Sequence, residues 1–234
     1  MKKAVFLFSL VLLVSCVDHS VSVVGDKRMQ ISGNILDTEN APLENINVIA
    51  SGSESTILNA RPEEILGEGF TSVAGEFSFV SLDTDNSFYG VSINHPDHEN
   101  YDLDYATVHF LDSIGSRGNS FELININLPK TQRFELRIEN TTARNDTLFY
   151  RFSYPATEFY QGLNSNFFDD NSLRFQTERE YWNRLLPGEE EMTIVTPTLA
   201  NSSIQFYYKF SAEAVYDTIN VEVSPENPVY EFNF

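Results

Sequence analysis

His95-Pro96-Asp97-His98-Glu99 places four metal-ligand side chains within five residues, with Asp102 and Asp104 just beyond. Imidazoles and carboxylates bind zinc when three or four of them converge on one point. Pro96 keeps this run out of a regular helix, so His95 and His98 do not share a helical face. In a strand, residues three apart point to opposite sides. A polar loop is therefore the expected reading, with His95, Asp97, His98 and Glu99 as weak metal candidates and no cofactor. Asp83-Thr84-Asp85-Asn86-Ser87 begins like a calcium loop but lacks the glycine at position six and the glutamate at position twelve. Nucleophilic catalysis lacks its parts. Cys16 is the single cysteine, no Gly-x-Ser-x-Gly elbow occurs, and His19 is one of only four histidines. The chain is not expected to be an enzyme. Tyr160, Phe167, Phe168 and Trp182 stand among Gln161, Asn164, Asn166, Asp169 and Asp170. Aromatic faces beside amides and carboxylates suit a sugar, and the same rings suit a sheet core.

The elements that must position these residues are strands. Ile31, Gly33 and Ile35 alternate with polar residues, as do Ile46, Val48 and Ala50; Phe77 and Phe79; Tyr89, Val91 and Ile93; and Ala106, Val108 and Phe110. Ile124, Ile126 and Leu128 alternate with Asn125 and Asn127 before Pro129. Short period-two segments separated by turn residues predict an antiparallel sandwich over residues 29–129. Arg61 to Leu66 suggests one helical turn in an insertion. A second set follows: Phe134, Leu136 and Ile138, then Leu148 through Tyr154, Ile204 through Phe210, Ile219 through Val223, and Val229 to Phe234. Residues 155–172 read as a long loop, and residues 177–186 fit either a capped helix or a strand. The fold class is all-β, with two consecutive antiparallel β-sandwich domains, the second over residues 130–234. Residues 29–129 hold two arginines against sixteen acids, and residues 130–234 hold nine basic residues against sixteen acids, which supports a boundary near Pro129.

Lys2 and Lys3 precede an apolar stretch, Ala4 to Val14, that is the length of a signal-peptide core and too short to span a bilayer. Leu13-Val14-Ser15-Cys16 then resembles the lipobox of bacterial lipoproteins. The resemblance implies cleavage after residue 15, lipidation of Cys16 and a tether over residues 16–28. It places the protein in the cell envelope, held on a membrane by its lipid, with the outer membrane favoured and the face open. Lipidation also consumes the lone thiol, which excludes disulfides and thiolate chemistry. A formal charge of −19 argues against nucleic acid and against docking on anionic lipid. The remaining partners are an envelope protein or a polysaccharide.

Ile31-Ser32-Gly33-Asn34-Ile35, Ala41-Pro42-Leu43, Ile46-Asn47-Val48, Thr71 ahead of Gly75-Glu76-Phe77-Ser78-Phe79, and Tyr89-Gly90-Val91-Ser92-Ile93 follow one another in an order that resembles the carboxypeptidase regulatory-like family. That resemblance implies a seven-stranded, prealbumin-like sandwich and an accessory module without an active site. Gly33 suits a crowded strand position and Gly75 a positive φ in a turn. Ser72 stands where the family often has aspartate, and the connection from Ser51 to Gly69 is longer than usual. Leu185-Leu186-Pro187-Gly188-Glu189 is similar to turns of bacterial immunoglobulin-like domains, and the second unit's family stays open. The function expected is a non-catalytic, membrane-anchored interaction or display scaffold; the alternative is a glycan-binding accessory lipoprotein.

Overall fold

The computed structural model describes residues 21–53, 55–56, 59–60, 64–85, 88–112, 118–162 and 178–234. Cys16, Phe167 and Phe168 lie outside the described residues, as do Arg61, Pro62 and Thr177. The described chain is all-β. Its strands are β1 (Val23–Asp37), β2 (Asn47–Ser53), β3 (Ser55–Thr56), β4 (Asn59–Ala60), β5 (Glu64–Phe70), β6 (Glu76–Thr84), β7 (Phe88–Ile93), β8 (Thr107–Asp112) and β9 (Ser120–Leu128). They continue as β10 (Thr131–Glu139), β11 (Leu148–Pro155), β12 (Glu158–Gly162), β13 (Glu178–Leu185), β14 (Glu191–Leu199), β15 (Ser202–Lys209), β16 (Asp217–Val223) and β17 (Val229–Asn233).

Two sandwiches result. In the first, a sheet ordered β6-β1-β9 faces one ordered β12-β8-β7-β2-β5, and β3 and β4 form a separate short ladder. Met29, Ile31, Ile35, Val48, Ala50, Tyr89, Val91, Ile93 and Leu128 are fully buried between the two sheets. In the second, β14-β10-β17 faces β13-β11-β15-β16 over Phe134, Leu136, Ile138, Tyr150, Phe152 and Phe206. Outside β9, each sandwich thus buries alternate residues of the period-two pattern in its core. Pairing is antiparallel except for β1 with β9, β10 with β17, and β12 with β8.

Gly33 and Gly75 occupy the positions their expected roles require. A Cβ on Gly33 would sit 2.0 Å from the Leu123 carbonyl oxygen, and Gly75 has a φ of 75° with its Cβ position 2.5 Å from the Ile35 oxygen.

Three expectations change, and the open choice at residues 177–186 falls to strand over its described part. β1 starts at Val23, inside the stretch expected to be tether, and docks early: Val21 donates its N–H to Glu64 Oε1 at 3.1 Å, and Lys27 Nζ meets the buried Asp83 carboxylate at 2.6 Å. Glu64 to Leu66, expected in a helical turn, begin strand β5, because their backbone pairs with β2. Residues 178–185 are strand rather than helix, since β11 offers them a full antiparallel ladder from Leu148–Leu185 to Pro155–Glu178. In β9 the inward phase is not that of Ile124, which is 56% exposed, but of Phe121 and Leu123. Asn125 adopts φ 54° where the β1–β9 register slips, and this bulge adds a residue that returns Leu128 to the core. Asn34 and Asn125 brace it reciprocally, Asn34 Nδ2 donating to Asn125 Oδ1 at 3.0 Å and Asn125 N to Asn34 Oδ1 at 2.8 Å.

Candidate functional site

The segment expected to be a long loop after Pro155 leaves the second sandwich and adds β12 to the first. It runs parallel to β8, with Phe159 opposite Val108 and Tyr160 opposite His109. Thr107 donates its N–H to the Thr157 carbonyl at 2.9 Å at the start of this pairing. Tyr160 therefore lies on the outer face of the five-stranded sheet, where its ring stacks on His109 at 4.6 Å and its hydroxyl donates to Glu158 at 3.3 Å. It is not in the second core.

Above that face lies the chain from Asn94 to Ala106, held by two buried asparagines. Asn94, wholly buried and at φ 56°, donates from Nδ2 to the carbonyls of Asp102 and Tyr105, both at 2.8 Å. Its Oδ1 accepts the Asp102 N–H at 2.9 Å. Asn47 Oδ1 accepts the His95 N–H at 2.7 Å while its Nδ2 donates to the Asn100 carbonyl at 3.2 Å. Asparagine suits Asn94 because a short amide tolerates left-handed backbone and presents both a donor and an acceptor. At the far end of the segment, burial pushes the Tyr105 phenol above its ordinary value, with nearby Lys130 opposing.

Between segment and sheet opens a cleft of about 750 Å³. Its floor is Ile49, Ser51, Ile65, His109 and Leu111, and its walls are His95 to Glu99 with Glu158 and Tyr160. Asp97, Glu99 and Glu158 line it, and among the described residues no lysine or arginine does. Such a wall repels anionic ligands and suits a neutral polyol or a cation.

The cleft gathers His95, Asp97, His98, Glu99 and Tyr160 into one place, along with His109, which sequence reasoning missed. The signal for His109 is a cross-strand one: it pairs with Ser92 in the β7–β8 ladder, and Ser92 Oγ lies 2.7 Å from its Nδ1. The other imidazoles brace their own loop. His95 Nδ1 accepts the Asp97 N–H at 3.2 Å and His98 Nδ1 accepts the Asn100 N–H at 3.0 Å. A neutral ring that accepts at Nδ1 carries its proton on Nε2, which leaves no lone pair there for a metal. His98 Nε2 instead faces Glu68 at 3.6 Å, and its ring meets Phe70 edge-on. Among the described residues, no three ligand-type side chains converge on a point that would hold a metal ion. Asp83 of the calcium-like run is buried, and its carboxylate accepts the Thr84 N–H at 2.8 Å and pairs with Lys27.

Trp182 does not join Tyr160. It stands on β13 in the second sandwich, 79% exposed on the outer face of the β13-β11-β15-β16 sheet. The expectation that it fills the core fails, because Tyr181 and Leu185 take the inward phase of β13.

No family model matches the sequence, and no curated protein is similar to it. Among solved structures, the fold is similar over 89% of this chain to the Bacillus anthracis TIE protein, at 10% identity and a TM-score of 0.29. It is similar over 90% to a streptococcal ancillary pilin, at 9% identity and a TM-score of 0.28. It is similar over 88% to a variant of the shaft pilin SpaA from Lactobacillus rhamnosus GG, at 6% identity and a TM-score of 0.31, covering 96% of that chain. This chain spans 34% of the length of the first and 63% of the second. Likenesses this distant carry no argument about function.

Proposed function

We propose that this chain is a non-catalytic lipoprotein of the bacterial cell envelope, anchored on the outer membrane through Cys16 and acting as an interaction scaffold. The first sandwich is a carboxypeptidase regulatory-like module and the second an immunoglobulin-like one. Lys2-Lys3, the apolar run and Ser15-Cys16 support the anchor. The seven strands β1, β2 and β5 to β9, in a three-plus-four arrangement before β12 is added, support the module.

The observation that supports the non-catalytic reading is the burial of the hydroxyl paired with His109. A nucleophile must be reached by its substrate. Ser92, whose Oγ lies 2.7 Å from His109 Nδ1, is only 2% exposed.

The anchor is tested by fractionating cells that carry Cys16→Ser and by feeding labelled palmitate. The parent chain takes up label and sediments with membranes, and the variant does neither. A Cys16→Ser chain that remains fully membrane-bound overturns the anchor.

One observation favours a second reading, a neutral saccharide in the cleft. Tyr160 supplies a ring beside Glu158, Asp97 and Glu99, which are hydroxyl acceptors, over an apolar floor. Calorimetric titration with neutral oligosaccharides tests it, and heats that persist unchanged in Tyr160→Ala count against it.

A further inference from the structure

One end of the outer face of the β13-β11-β15-β16 sheet gathers cations among aromatic rings, while Glu178, Glu180 and Glu222 stand toward its other end. Cross-strand register places Trp182, Arg151 and Tyr207 in one row and Arg184, Phe149 and Lys209 in the next. Tyr216, just before β16, reaches the same patch. The Arg151 guanidinium lies 4.3 Å from the Tyr207 ring centroid and 5.3 Å from that of Tyr216, and Lys209 Nζ lies 4.6 Å from that of Tyr216. Three cations are therefore interleaved with four aromatic rings on a chain whose formal charge is −19. They are weakly neutralised. Among the described residues the ion pair on this face is Arg151 with Glu180 at 3.9 Å, and Lys209 donates instead to the Ala212 carbonyl at 2.7 Å.

We infer that this face binds an acidic polysaccharide, its rings meeting pyranose faces and its cations meeting uronate carboxylates. Trp182 and Tyr207 are two strand spacings apart across Arg151, roughly 10 Å, which is comparable to a disaccharide. Arginine suits the place between them because its planar fork stacks on a ring and still offers paired donors to a carboxylate. Charge complementarity selects this occupant over a neutral glycan, and the rings select it over a polyanion without sugar faces. The acidic cleft against the first sandwich would repel the same ligand, so the two surfaces differ in kind. The inference is independent of the anchor and of the cleft reading.

Trp182 is the only tryptophan in the chain, so its fluorescence reports on this face. Full-length protein in neutral detergent is titrated with oligogalacturonate, with a neutral maltooligosaccharide, with polyglutamate, and with vesicles containing phosphatidylglycerol. The expected result is saturable quenching by oligogalacturonate alone, weakened by added salt. Arg151→Gln and Tyr207→Ala should each weaken it by about tenfold or more, the loss of one charge-assisted contact or one ring platform. Tyr160→Ala should leave it unchanged. Thermal melts of each variant establish that it folds. No response to oligogalacturonate overturns the inference. So does an equal response to polyglutamate or to the anionic vesicles, or full binding in a folded Arg151→Gln protein.

Discussion

Asn94 decides whether the cleft has a wall. Its amide satisfies two backbone carbonyls and one backbone N–H in a place without solvent, and its own carbonyl accepts the Thr107 hydroxyl at 2.7 Å. A buried polar group left without a partner costs about 1–3 kcal/mol. Asn94→Ala leaves three such groups unpaired and holds positive φ without asparagine's tolerance of that backbone, which adds about 1 kcal/mol. Asn94→Gly loses the same hydrogen bonds but relieves the backbone. The expected order of thermal midpoints is therefore parent, then Asn94→Gly, then Asn94→Ala, with the glycine variant at least about 3 kcal/mol below the parent. Equal midpoints for the two variants would show that left-handed strain plays no part. Nothing in the sequence around Asn94 announces this role. Its partners lie eight to twelve residues ahead, and an Asn after an apolar strand reads as an ordinary turn residue.

At the scale of strands, the sequence is most legible where alternation is unbroken. Tyr89, Val91 and Ile93, and Phe134, Leu136 and Ile138, are buried as their spacing predicts, because one face of each strand must meet the opposing sheet. Legibility fails where backbone geometry changes the count. The bulge at Asn125 inverts the phase of Ile124, and an i, i+2 pattern has no means of showing an inserted residue. It fails again at β12, whose five residues all have intermediate exposure and whose partner strand lies about fifty residues earlier, in the other sandwich. That miss hid most of the cleft: the His95–Glu99 cluster was visible as a motif, whereas its meeting with Tyr160 and His109 depends on a long-range parallel pairing. Gly33 was visible for the right reason, and it supplies a test. With the added carbon 2.0 Å from a backbone oxygen of β9 and 2.9 Å from the Phe77 ring, relief requires moving a strand rather than a side chain. Gly33→Ala should cost about 3 kcal/mol, the upper range for overpacking, and should raise amide exchange in β1 and β9 while leaving β11 and β15 protected. Uniform loss of protection across both sandwiches would contradict a lesion confined to that contact.

For the whole molecule, β12 makes the two sandwiches depend on each other. The chain crosses from one to the other at Pro129 and returns at Pro155. At the first crossing Ala106 donates its N–H to the Pro129 carbonyl at 2.9 Å, and Thr131 donates its N–H to the Asp104 carbonyl at the same distance. At the second, Ala156 is buried, and Thr198 donates its hydroxyl to the Pro155 carbonyl at 3.2 Å. Phe159 then packs against the first core although it belongs to the second half of the chain. Unfolding the second sandwich pulls on β12 and uncovers the edge of β8, while unfolding the first strips β12 of its ladder. Cooperative melting follows when such an interface costs more to open than the difference in stability between its parts. The parent protein should therefore melt in one calorimetric transition. Phe159→Asp puts a carboxylate against the apolar core and beside an already acidic cleft, which should release β12 without touching the second core. The expected outcome is two transitions, the earlier one assigned to the first sandwich by loss of amide protection in β7 and β8. Two resolved transitions in the parent, or a single unshifted one in Phe159→Asp, would mean that β12 lies on the first sandwich without joining its fate to the second.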